Sequence, residues 1–246
     1  MTDAAYLAIE AAFGAPATLA AVEPLSLEQR QALRQFWIGR ARGELTTALS
    51  FEFMLDDLRA LGAPAVLTEL AERSIADEHR HVDWCLRFAR LWGGGEPAEP
   101  GLGGTRPLEL DGASEHDSRI LRTIFGCCFS ETVATHVLLA SQERLELESV
   151  RRLNHQHIAE EVGHARLGWG LLGWSGLTRR DRDMLGHFVS GMTDLTRNAW
   201  YGPSYGADAA LEPLGYLPQS LVEVACEAAL KDVIWPGLEQ NGVRIA

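Results

Sequence analysis

The chain contains Glu-x-x-His twice, as Glu78/His81 and as Glu161/His164, and each copy sits in a long segment whose apolar residues recur at spacings of three and four. That recurrence is the helical period. A separation of three puts a carboxylate and an imidazole on one helix face, one turn apart, where both can grip the same cation. A single pair is weak evidence, since Glu and His are frequent on solvated helix faces. Two copies on separate, otherwise apolar helices demand a fold that brings those helices side by side.

The remaining pattern is helical almost throughout. Ser26-Leu-Glu-Gln29 is a capping-box start, and the apolar period then runs to Leu61. Gly62-Ala-Pro64 breaks it, and a second helix is predicted from about Ala65 to Leu91. The stretch from Gly93 to Pro107 is too rich in Gly and Pro for helix or strand. Ser114 caps a third helix reaching about Arg144, and a fourth covers roughly Leu147 to Trp174. Thr178-Arg-Arg-Asp181 opens a fifth that fades near Tyr201, and a short last helix covers about Gln219 to Val233. Two tightly turned helix pairs joined by a long connection predict an all-α four-helix bundle, with a crossover between helices two and three. One domain over residues 1–246 is expected, with the bundle core at about 26–174 and a helical extension at about 178–246. The Gly/Pro stretch could instead link two domains, but neither half alone would complete the site.

A symmetric site needs one more carboxylate from each of the other two helices. Helix three supplies Glu131, lodged in Cys127-Cys-Phe-Ser-Glu-Thr-Val, where a lone charge would be costly. Helix one offers Glu44 and Glu52, and the arm lengths to Glu78 accommodate either. Glu44 is preferred, because Ala48, Phe51 and Leu55 follow it on the inward face while Glu52 falls near the edge. If the pairs were only surface charges on amphipathic helices, the histidines would be incidental.

Glu on one helix and Glu-x-x-His on the next, repeated twice across residues 26–174, resembles the ferritin-like di-iron carboxylate proteins. The stretch Glu44…Leu-Gly-Ala-Pro64…Asp77-Glu78-x-x-His81 is also similar to a group of bacterial ferritin-like proteins with no settled activity. The resemblance implies Glu44, Glu78, His81, Glu131, Glu161 and His164 as ligands of two iron ions, with Glu78 and Glu161 bridging. Asp77 and Glu160 each stand one residue before a ligand Glu, as in the Asp-Glu-x-Arg-His form of di-iron oxygenases. Each could take the second N–H of the opposite motif's imidazole. Arg80 would neutralise them, and Gly163 stands where a second Arg would be, so half of that network is expected.

Four carboxylates with two imidazoles suit iron, or manganese, rather than a soft metal; a di-zinc hydrolase is compatible with the ligands alone. His157 lies four residues before Glu161 on the same face, and the array His157-x-x-x-Glu161-x-x-His164 resembles the third-histidine site of arylamine N-oxygenases. Two readings stay open for it: a seventh ligand, or a residue capping the core. Thr135, four residues after Glu131, is expected to face the same cavity, as a threonine at this offset does in bacterial di-iron hydroxylases; it could equally be a back-bonded helix hydroxyl. Cys127 is read as core packing, and His79, His116 and His155 as solvated.

The function expected from the resemblance is O₂ activation by a monooxygenase or oxidase acting on a small organic substrate, with electrons from a separate reductase. The alternatives are an iron-storage or stress protein with ferroxidase activity, and a metal-free helical interaction protein. The stretch after residue 178 could close a substrate pocket or form a homodimer surface. A formal net charge of −12 without a Lys/Arg cluster argues against nucleic acid and anionic lipid as partners. None of Cys85, Cys127, Cys128 and Cys226 forms Cys-x-x-Cys, which excludes a zinc ribbon or rubredoxin-type relay. The N-terminal stretch lacks a basic signal region, and no uninterrupted apolar run is long enough to span a membrane, so a cytoplasmic protein is expected.

Overall fold

The computed structural model describes residues 20–93, 107–202 and 209–245, together with residues 11, 18, 95 and 97. It is helical, with no strand among the described residues. Helix α1, Leu27–Leu61, starts at a complete capping box in which Ser26 and Gln29 each accept from the other's backbone N–H. It stops at Gly62, whose φ of 68° is left-handed backbone that a Cβ disfavours. Pro64, which has no N–H to leave unpaired, leads directly into α2, Ala65–Trp92. Helix α3 runs Glu115–Gln142, α4 Glu148–Gly173 and α5 Arg179–Trp200. After a 3₁₀ turn at Ala209–Leu214 come α6, Gln219–Ala228, a π-helical segment Ala229–Ile234 and α7, Trp235–Gln240.

The first four helices close a ring of contacts. α1 packs along α2, α2 against α4, α4 against α3, and the start of α3 returns to α1. α2 and α3 therefore stand diagonally across the ring, and the connection between them must cross from one side to the other. Half of that connection, including 98–106, lies outside the described residues. α5 and α6 pack on the outer side of α3.

The core is divided in two. One apolar cluster gathers Phe51, Met54, Leu58, Ile124, Phe129 and Leu171 at one end of the ring. The other gathers Leu33, Trp37, Trp84, Phe88, Trp92 and Leu153 at the opposite end. Along α1, α2 and α4 the chain passes from one cluster to the other through a band of buried Glu and His. Burying that band between two apolar layers is costly unless its charges are matched, by one another or by a bound cation.

One departure from the expected pattern lies in α3. Its middle, Ile124–Glu131, is π-helical, so the helix widens just ahead of Glu131. π segments inside α-helices are rare and recur at functional sites. Gly168 on α4 accommodates the widened turn, because a Cβ there would meet Cys128 Sγ at 2.6 Å and the Cys128 backbone nitrogen at 3.0 Å. α3 is also long and apolar enough to cross a membrane by length and composition, although no uninterrupted apolar run was expected to be; most of its apolar window is buried against the other helices.

Candidate metal centre

Four helices deliver the buried acids and imidazoles to one level. α2 carries Glu78 and His81, α4 carries His157, Glu161 and His164, and α3 carries Glu131; all six are almost fully buried. Glu44 comes from α1 and is partly buried, whereas Glu52 is exposed and stands apart from the cluster.

Their donor atoms fall into two groups that share Glu161. Glu44, His81, His157 and Glu161 form one; Glu78, Glu131, Glu161 and His164 form the other; within each, one donor atom per residue lies within 4.8 Å of the rest. Ligands bonded to a common metal at roughly 2.0–2.2 Å stand no more than about 4.4 Å apart, so each group needs only a small contraction to close on an ion. Glu78 lies between the two motif imidazoles, with Oε2 3.3 Å from His81 Nδ1 and Oε1 2.9 Å from His164 Nδ1. Glu161 does the same from the other side, with Oε1 3.8 Å from His81 Nδ1 and Oε2 3.1 Å from His164 Nδ1. Both carboxylates thus stand between the two motif imidazoles, and Glu161 alone belongs to both groups.

The far nitrogens of both imidazoles cross over to the opposite helix. His81 Nε2 lies 2.8 Å from Glu160 Oε2, and His164 Nε2 lies 3.4 Å from Asp77 Oδ2. With each Nε2 turned to an outer acid, Nδ1 faces the cluster and offers its lone pair to a cation once the proton it carries is displaced. Arg80 contacts Asp77 and also reaches Glu160 at 3.1 Å. One arginine therefore serves both acids, and the position of Gly163 needs no second one. Gln156 adds a hydrogen bond to Glu160 at 2.8 Å. Trp84 stacks on the His81 ring, with centroids 5.5 Å apart.

Electrostatics within the band are strained. Burial raises the Glu131 carboxyl well above its usual range, and the charges of Glu161 and Glu78 push the same way. Burial raises Glu44 to about 7, against the opposing pull of Arg40. Burial and the charge of His81 lower His157 to about 4, keeping it neutral. Two buried atoms inside the cluster, Glu78 Oε1 and His157 Nε2, make no hydrogen bond. Both have close polar neighbours, His164 Nδ1 at 2.9 Å and Glu161 Oε1 at 2.7 Å, but in misdirected geometry. Carboxylates and imidazoles gathered this closely, with two of their buried polar atoms left unsatisfied, fit divalent cations. The oxygen-rich set suits a hard or borderline cation better than a soft one. Cys127 stays outside it as a buried thiol 3.7 Å from Met54 Sδ, its pKa pushed well up by burial.

A cavity of about 550 Å³ opens on the cluster from the side of α5 and α6, touching Glu44, Glu131, His157 and Glu161. Thr135 does not line it. Its hydroxyl donates to the Glu131 carbonyl at 2.9 Å, and the α3 residues on the wall are Ser130, Ala134, Val137 and Leu138. At ~100° per residue, those positions lie to one side of Glu131 and Thr135 to the other, so the expected pocket-lining threonine is corrected to a helix-bonded one. His79, His116 and His155 are exposed. His116 pairs with Asp181 at 3.2 Å, where the capping boxes of α3 and α5 meet.

Arg40 has no counterpart among the expected site residues. It contacts Glu44 at 3.4 Å and His157 Nδ1 at 3.1 Å. Its offset of four from Glu44 was the available signal, since that spacing shares a helix face. No family model, curated protein or solved structure matches this chain.

Proposed function

We propose that this chain is a ferritin-like four-helix protein that holds two iron ions and uses them to activate O₂ for oxidation of a small organic molecule. The observation that carries the reading is the pair of donor groups sharing Glu161, on four different helices, directly beside a cavity large enough for such a molecule. Glu78 and Glu161 would bridge the ions. His81 and Glu44 would complete one site, and His164 and Glu131 the other. A ferrous pair, when bound, supplies the electrons and the open positions that oxygen activation requires.

The chain's own contribution is placement and exclusion of water. Asp77 and Glu160 orient the two imidazoles, and Arg80 balances those acids. The apolar clusters on either side keep the ligand layer dry, while α5 and α6 cover the open face. Reducing equivalents would arrive from a separate reductase, because the chain has no Cys-x-x-Cys relay.

The second reading is an iron-handling protein with ferroxidase activity, which the same ligands would serve. The cavity wall of Phe36, Val137, Leu138, Trp200 and Leu217 favours the oxygenase, since a ferroxidase needs an ion path and not an apolar chamber. The test is anaerobic loading with Fe(II), a count of ions per chain, and then exposure to O₂ with optical and product analysis. Two ions per chain and oxidation of an added organic compound support the oxygenase. Continued uptake to a ferric mineral supports the storage reading, and failure to bind iron overturns both.

A further inference from the structure

The cavity has one cationic side chain among its described lining residues, Arg40, and the proposed oxygen chemistry does not use it. The guanidinium lies over Trp37, with Cζ 5.2 Å from the ring centroid. Both of its polar contacts, to Glu44 Oε1 and His157 Nδ1, engage Nη2; Nε and Nη1 hydrogen-bond nothing among the described residues.

Arginine is a donor only. Its contact makes His157 Nδ1 the acceptor, which in a neutral imidazole places the single proton on Nε2. That is the nitrogen facing Glu44 and Glu161, and while protonated it cannot ligate a cation. The same Nη2 holds Glu44 Oε1. Arg40 therefore ties up two of the four donors of one group, and its charge would repel an ion bound there.

An anion in the cavity removes both obstacles. A carboxylate offers two oxygens to the planar guanidinium fork, and the wall of Phe36, Val137, Leu138, Trp200 and Leu217 suits an apolar body attached to it. Two divalent ions would offset the four carboxylates Glu44, Glu78, Glu131 and Glu161, leaving Arg40 as the uncompensated charge at the cavity wall. We propose that the cavity binds a small amphipathic carboxylate through Arg40, and that the turn of Arg40 toward it releases His157 and Glu44 to the metal. Carboxylate and metal then favour each other's binding reciprocally. The inference rests on the proposed metal reading and adds the ligand class and its coupling.

The experiment titrates Fe(II) anaerobically into the full chain with saturating benzoate, with neutral benzamide, or with neither, and measures benzoate binding directly on the same samples. Benzoate is expected to tighten Fe(II) binding about tenfold, within the usual range of such couplings, while benzamide leaves it unchanged. Arg40→Gln should abolish the difference while still binding two irons. Equal effects of acid and amide, or a benzoate effect that survives in Arg40→Gln, overturn the carboxylate site and leave the metal reading standing. A chain that takes up no iron but binds benzoate in an Arg40-dependent way overturns the metal reading and the coupling, and keeps the anion site. A chain that binds neither overturns both.

Discussion

Glu160 on α4 takes the outer nitrogen of His81 on α2 at 2.8 Å, tying each Glu-x-x-His helix to the other through an acid that faces away from the cluster. Asp77 mirrors this toward His164 at 3.4 Å. Loss of such an orienting partner lowers metal affinity by roughly 10–100-fold. Glu160→Ala should therefore weaken binding by that order without changing the number of ions bound, as measured by titration calorimetry. An unchanged isotherm would show that Glu160 only solvates Arg80.

Removal of a carboxylate that stands between both motif imidazoles should act differently. Glu78→Ala or Glu161→Ala is expected to abolish binding of two ions per chain while the far-ultraviolet circular dichroism stays helical. Each also takes a carboxylate partner from the buried imidazoles of His81 and His164, so the metal-free variants should melt below the parent. Retention of two ions by both variants would displace the site from this cluster.

Glu44 and Glu52 provide a test of position along α1. Glu44→Ala should weaken one of the two bound ions, because Glu44 belongs to only one donor group. Glu52→Ala, on an exposed face, should bind like the parent.

Thr135→Val tests the correction made by the structure. With its hydroxyl spent on the Glu131 carbonyl and its side chain off the cavity wall, the substitution should leave metal stoichiometry and the oxidation rate unchanged. A large loss of rate with normal iron content would restore Thr135 to the pocket.

The pH dependence follows from His81. Burial disfavours its charged form, but the charge of Glu78 and the hydrogen bonds to Glu160 and Glu78 outweigh burial and push the pKa up to about 10. A folded-state pKa above the unfolded value of 6.5 gives stability that is full below pH 6.5 and lost as pH rises through about 10. Glu44, raised to about 7 chiefly by burial, acts in the same direction over a lower range. The chelator-treated chain should thus lose melting temperature between about pH 7 and 10. Metal must displace these protons, so binding should release them and strengthen over the same range. Calorimetry in buffers of different ionisation enthalpy reads the release directly, and a proton count of zero at pH 7.5 would refute the assignment.

Much of this was written locally in the chain. Ser26, Ser114 and Thr178 begin their helices by capping boxes that involve only residues three apart, and the spacing of Glu78 to His81 and of Glu161 to His164 places each pair on one face of a helix. The preference for Glu44 over Glu52 came from the apolar residues following it on the same face. Such features are short-range, and a helix expresses them wherever it packs. Other features arise only when separate helices meet. The π segment before Glu131 packs against Gly168, where a Cβ would meet Cys128, and no residue pattern within α3 announced it. The rotation that turns Thr135 away, the reach of one Arg80 to acids on two helices, and the contact of Arg40 with His157 all depend on helix rotation and separation. Those are set by how the two apolar clusters fill their space, which no single helix can specify.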